Sequence, residues 1–285
     1  MKEKIINLSD IANQKDKLVG IDKMLSERGG PKYTKIIAKD ADTGEILSET
    51  TNKVVISGSV LAACKIFGVS CPINIPNYNE ELNLDNSASY TTVPSDSLVC
   101  LFCVDDSGCG TTEKDTFTVG YVDRIAPTGD DKSKVIFPFR YVDESDDLNS
   151  DLRKRYFGRK TLNNGKVAYY FKNFEADPQM HLRYSDGTQI TEELYNVETS
   201  QLAEVYVEAK LKVNRNDFRD YFEQVLGWDK ARISSLSLCY AWYKDDLGDG
   251  YKWYQGITPY TKLNFPYERL VSLDRAIMFY YQIFY

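Results

Sequence analysis

The sequence predicts a mainly β (α+β) protein, with antiparallel, β-sandwich-like sheets, a few short helices and long loops. Three observations carry this. "AEVYVEAKLKV" (203–213) alternates strictly. Val205, Val207, Ala209, Leu211 and Val213 share one face and Glu204, Tyr206, Glu208, Lys210 and Lys212 the other, the period of a half-buried strand. Turn signals recur between apolar runs as "DADTG", "NNG" and "SDG". Tyrosine is abundant, 21 residues against 3 Trp, and it suits pleated surfaces that are apolar yet wettable.

Along the chain, residues 1–30 stand apart as an N-terminal arm or short helix, ended by "SERGGPK", ahead of a β-rich domain over 31–285. "YTKIIAKDADTGEILSETTNKVV" predicts a hairpin. Its "DADTGE" offers Asp40, Asp42 and Glu45 but is too short for a calcium loop, so it reads as a turn. "SGSVLAACKIFG" (57–68) predicts a helix, capped by Ser57 or Ser59 and stopped by Gly68. A long irregular loop, 69–97, follows, and strands are predicted at 98–104, 117–123 and 134–142. Hairpins are expected across "TLNNGKVAYYFKNF" and "HLRYSDGTQI". After the alternating strand, "NRNDFRDYFEQVLG" predicts a helix capped by Asn214 or Asn216, apolar at Phe218, Tyr221, Phe222 and Val225, and stopped by Gly227. "ISSLSLCYAWY" alternates, with Leu236, Leu238, Tyr240 and Trp242 on one side, and with the terminal "AIMFYYQIFY" it predicts two more strands.

A net charge of -7 argues against broad binding to a phosphate backbone, so no sequence-specific nucleic-acid partner is expected. The densest basic run, "LRKRYFGRK" (152–160), reads as a solvated loop or helix face. The first twenty residues hold no apolar stretch of signal-peptide length, and no apolar run reaches the roughly 18 residues of a membrane span. Folding in a reducing cytoplasm is expected, with all six cysteines as free thiols.

"LVCLFCVDDSGCG" (98–110) raises the question of a metal or redox site. Cys100 and Cys103 have pair spacing and Cys109 follows, but no second pair completes four zinc ligands. The run reads as a strand, on which residues three apart face opposite ways. Cysteine then acts as a small apolar residue and "DDSGCG" as a turn.

One histidine, His181, leaves little room for Ser-His-Asp or Cys-His chemistry, and its surroundings, "PQMHLRY", carry no nucleophile motif. There is no G-x-S-x-G, Walker or dinucleotide pattern. No enzyme activity, cofactor or metal is expected. "YKDDLGDGYKW", flanked by Tyr243, Tyr251, Trp253 and Tyr254, reads as a hairpin loop, with stacking on sugar rings as the alternative.

"TTNKVVISGSVLAACKIFG", then an irregular loop, an apolar strand, "FTVGYVDRIAP" and "KVIFPFRYV" follow in order over about residues 45–142. This run resembles virion proteins of tailed bacteriophages, above all tail or neck ring proteins of short-tailed, crAss-like phages. The resemblance implies no catalysis and no cofactor. It implies a virion protein assembled in the host bacterial cytoplasm, forming a homo-oligomeric ring with tail, neck or portal proteins as neighbours. It transfers no functional residues. The alternative is a phage fibre or receptor-binding protein recognising host glycans. In a ring, residues 1–30 and 69–97, which lack a periodic apolar face, are expected to be ordered by neighbouring subunits. Ile73, Ile75, Tyr78 and Tyr90 are the apolar anchors of that interface, stiffened by Pro72, Pro76 and Pro94.

Overall fold

Asp40 sets the first turn. Its Oδ1 accepts from the Asp42 and Thr43 amides, both at 2.9 Å, and Gly44 takes the positive φ of 75° that closes the hairpin. The calcium-like "DADTGE" is thus a turn stabilised by its own aspartate. In the computed structural model the described residues are 33–52, 62, 64–66, 78–86, 96–105, 136–184, 189–190, 202–214, 216–228, 231–244, 253–269 and 276–285. The expected N-terminal arm at 1–30, the strand at 117–123 and most of the helix at 57–68 lie outside them.

Twelve strands are described: β1 (Tyr33–Asp40), β2 (Ile46–Asn52), β3 (Leu98–Asp105), β4 (Arg140–Asp143), β5 (Tyr156–Thr161), β6 (Lys166–Asn173), β7 (Gln179–Tyr184), β8 (Gln189–Ile190), β9 (Leu202–Val213), β10 (Arg232–Lys244), β11 (Trp253–Arg269) and β12 (Ile277–Phe284). Two short helical pieces complete the described elements used below, α1 (Tyr78–Glu81) and α2 (Arg219–Tyr221), the latter continuing as a π-turn over Phe222–Leu226. The strands form two antiparallel sheets. One runs β2-β1-β12-β9-β7-β8; the other runs β11-β10-β3-β6-β4, with β5 also on β6. The mainly β, sandwich-like class expected from the sequence is what forms. One cluster of buried apolar side chains draws on both sheets, with Leu211 and Phe279 from the first and Phe102, Phe171 and Leu238 from the second.

Both predicted hairpins pair. β5 and β6 join around Gly165 (φ 75°), and Leu182 of β7 lies opposite Ile190 of β8. Four expectations are corrected. First, of the described residues of the strand expected at 134–142, only 140–142 are strand, within β4. Residues 136–139 cross the core instead: Phe137 N–H donates to Val104 O at 3.0 Å and Phe139 N–H to Tyr169 O at 2.8 Å. Second, β9 is not simply half-buried. Leu211 is buried as expected, but Val205 and Val207 are partly exposed, and Tyr206 on the supposed solvent face is only 1% exposed, stacked between His181 and Phe284 with 4.8 Å to each ring. Third, β10 is buried on both faces, since Ser235, Ser237 and Cys239 are as enclosed as Leu236, Leu238 and Tyr240. The chain passes from one sheet to the other through β9, α2 and β10.

The fourth correction concerns the helix expected from Asn214 or Asn216. It begins only after Phe218, which takes a left-handed φ of 66°. The reversal is driven by Asp217, whose carboxylate is drawn into the core and accepts from the Asn214 amide at 2.7 Å. Strain at a bulky residue with positive φ needs surroundings that hold it. Phe218 donates its N–H to Phe139 O at 2.9 Å, and its ring packs 4.6 Å from that of Phe139. Val225, expected on the apolar face, is exposed, and Gly227 (φ 86°) stops the turn as expected.

Candidate functional site

Between the two sheets lies a cavity of about 370 Å³. One wall is Val207 and Ala209 of β9 with Ile283 of β12; the other is Val99 of β3, Leu238 and Tyr240 of β10, and Tyr260 of β11. Further along β9, Leu211 and Val213 fill the core, whereas the methyl of Ala209 stops short and leaves space. Helical residues Ala62, Lys65 and Ile66 and the terminal Tyr285 edge the opening. Ile66 is 68% exposed and Tyr285 43% exposed, so the rim is apolar on its outer side too. The Lys65 ammonium stands 5.8 Å from the Tyr240 ring centroid. Burial lowers its pKa, with the neighbouring Asp96 carboxylate and Cys100 thiol pulling the other way.

The cysteine pair beside this cavity is split. The register between β3 and β10 passes from Leu101↔Cys239 to Val99↔Tyr240, leaving Cys100 as the extra residue of a bulge. Burial pushes the Cys100 thiol up to about 12, despite hydrogen bonds from the Tyr254 hydroxyl and the Ala241 amide and the nearby Lys65 charge. Cys103 instead bonds with Cys239, whose thiol is driven well above its ordinary value by full burial and by that partner. The Cys100 and Cys239 thiols therefore stay protonated at neutral pH and are poor nucleophiles and ligands. Cys64, Cys100, Cys103 and Cys239 are free, and no three His, Cys, Asp or Glu side chains among the described residues gather as a metal site.

A buried ion pair anchors a second cluster. Lys172 Nζ lies 2.8 Å from Asp217 Oδ2 with both side chains buried, and donates also to Lys212 O at 2.7 Å. The Tyr156 hydroxyl donates to Asp217 Oδ1 at 2.7 Å. Burial lowers the Lys172 pKa against the pull of Asp217; burial and then the Asp217 charge raise that of Tyr156. Each Asp217 oxygen has a donor, so the group ties β5, β6 and the end of β9 together rather than facing a substrate. Such residues are visible in sequence only as a lone Lys within the apolar run "VAYYFK" and an Asp before a helix.

A third cluster revises the reading of the basic run. Arg159 joins Asp147 (Nε to Oδ2, 3.0 Å) to Asp85, with the Tyr169 hydroxyl donating to Asp147 Oδ1 at 2.6 Å. Burial alone would raise the Asp147 carboxyl; bonds from Tyr169, the Leu148 amide and Arg159 outweigh it and hold the pKa low. Arg153, 3.5 Å from Asp147, lies over the Trp253 ring at 5.3 Å. Lys154, paired with Asp151, and Arg155 are exposed and match the solvated face that was expected.

Of the aromatic residues considered for sugar stacking, Tyr243, Trp253 and Tyr254 are engaged internally, and Tyr251 lies outside the described residues. Trp253 is buried beneath Arg153, and Tyr254 packs edge-on against both Phe157 (4.7 Å) and Tyr243 (5.3 Å). His181 lies flat on Tyr206 in β7, a packing role.

The expected interface loop needs correcting at Tyr78. That residue is 0% exposed and stacks 5.7 Å from Phe171, so it anchors its own core and not a neighbour. Segment 78–86 spans the open side of the second sheet. Asn79 bonds to β11, and Asp85 N–H donates to Arg159 O of β5 at 2.8 Å while its carboxylate accepts from Thr161 N–H. Ile73, Ile75 and Tyr90 lie outside the described residues, so the rest of that interface reading has no structural counterpart here. No described helix is long and apolar enough to cross a membrane. Compared with known proteins, the chain matches no family model, no curated protein and no solved structure.

Proposed function

We propose that this chain is a non-enzymatic structural protein of a tailed-bacteriophage virion, forming a homo-oligomeric ring in the tail or neck and contacting other tail, neck or portal proteins. The observation that carries the reading is the use made of enclosed charge, buried in Lys172–Asp217 and half-buried in Arg159–Asp147–Asp85. Lys172–Asp217 and Arg159–Asp147–Asp85 each join segments distant in sequence, and their polar atoms are taken up by partners within the chain. Buried polar ties of this kind hold one arrangement at the expense of reactivity, which suits a building block acting through its surfaces. The order of elements across about 45–142 supplies the virion class by resemblance, and with it assembly in the host cytoplasm.

Native mass spectrometry of the full chain tests this. A single closed oligomer of high order is expected. A monomer or trimer at every concentration would remove the ring and return the fibre reading.

A further inference from the structure

We infer that the cavity between the sheets is a binding site for a small single-chain amphiphile, an aliphatic tail with an anionic head, whose tail lies against Val207, Ala209 and Ile283 and whose head meets Lys65. This goes beyond the assembly reading and does not rest on it.

The walls come from both sheets and are almost wholly carbon. A space of about 370 Å³ is at the small end of the range of ligand sites, roughly 300–1,000 Å³, and fits one alkyl chain better than a two-chain lipid. An apolar cavity stays dry, so an apolar body entering it displaces little bound water. At the opening Ile66 is largely exposed and Tyr285 partly so. Among the described lining residues Lys65 is the single charged side chain, and it sits at that edge, above Tyr240. A cation on a flexible stem at the mouth of an apolar slot selects an anionic head over a neutral or cationic one. Asp96 lies close enough to act on Lys65 and competes with the head group for it.

The probe is sodium dodecanoate, titrated calorimetrically below its micelle concentration into the full chain, with dodecyltrimethylammonium as the control of opposite charge. One site per chain is expected, with a rise in Tm and with the ammonium compound at least about tenfold weaker, a difference worth about 1.4 kcal/mol. Lys65→Glu should reverse that order, and Ala209→Phe, which fills the slot, should abolish binding of both. Intermolecular NOEs from the dodecyl chain of the unaltered protein should reach the methyls of Val207, Ala209 and Ile283, so the test stands even if a variant fails to fold. Absence of binding, equal affinity for the two head groups, undiminished binding by folded Ala209→Phe, or NOEs to other methyls would each overturn the inference. A monomeric chain that still binds dodecanoate would leave this site standing while refuting the ring.

Discussion

Asn79 replaces a neighbouring strand for Ile257: its Oδ1 accepts the Ile257 N–H at 2.9 Å and its Nδ2 donates to Tyr254 O at 3.1 Å. The need arises from a bulge, since the register passes from Trp242↔Gln255 to Tyr240↔Thr258 and sets two residues of β11 against one of β10. Asn79→Ala should strip both partners from buried backbone groups and destabilise the protein by about 1–3 kcal/mol. Chemical denaturation at unchanged m-value measures it. A loss below about 0.5 kcal/mol would mean that segment 78–86 does not close this edge.

The same bulge places Gly256 at φ +58°, and a Cβ there would meet Trp242 Cζ3 at 1.6 Å. Gly256→Ala therefore combines an unfavourable φ with overpacking and should cost roughly 2–5 kcal/mol. Trimming the indole in Trp242→Ala/Gly256→Ala should relieve the clash, making the pair of changes less damaging than their sum. Strict additivity in thermal unfolding would show that the ring does not occupy that space.

Lys172→Met should leave the Asp217 carboxylate buried without its cation and cost about 3–5 kcal/mol. Adding Asp217→Asn removes the stranded charge, so the double variant should be more stable than Lys172→Met alone. A double variant that is less stable than the single would assign the loss to packing and not to charge.

Cys100 provides a pH test. Its thiol is raised to about 12 in the folded chain, against roughly 8.5 when unfolded. A raised acid of this kind contributes stability fully below the unfolded value and loses it as pH climbs towards the folded one. Native-state alkylation of Cys100, followed by peptide mass spectrometry, should therefore stay slow from pH 7 to 10, while the denatured chain reacts with a midpoint near 8.5. Fast native labelling at pH 8 would mean that the thiol is open to water. Cys100→Ser should flatten part of the alkaline loss of stability.

Much of the fold was legible because it is local. Turn chemistry at Asp40–Gly44 and Asn163–Gly165, and period-two alternation in β9, depend on neighbours in sequence. What was not legible depends on distant residues. The helix after β9 is shortened because Asp217 answers Lys172, 45 positions away. Tyr206 is buried on a polar-looking face because His181 and Phe284 arrive beside it from β7 and β12. Tyr78 belongs to the core because Phe171 waits there. The cavity had no sequence signal at all, since an Ala in a strand does not announce what lies opposite it.

The central claim is assembly into a ring, and electron microscopy of the purified full chain tests it most directly. Class averages are expected to show closed rings of uniform diameter with rotational symmetry and an open centre, as a heterologous contact that closes requires. Isolated particles of single-chain size at the highest soluble concentration, or elongated trimers, would contradict it.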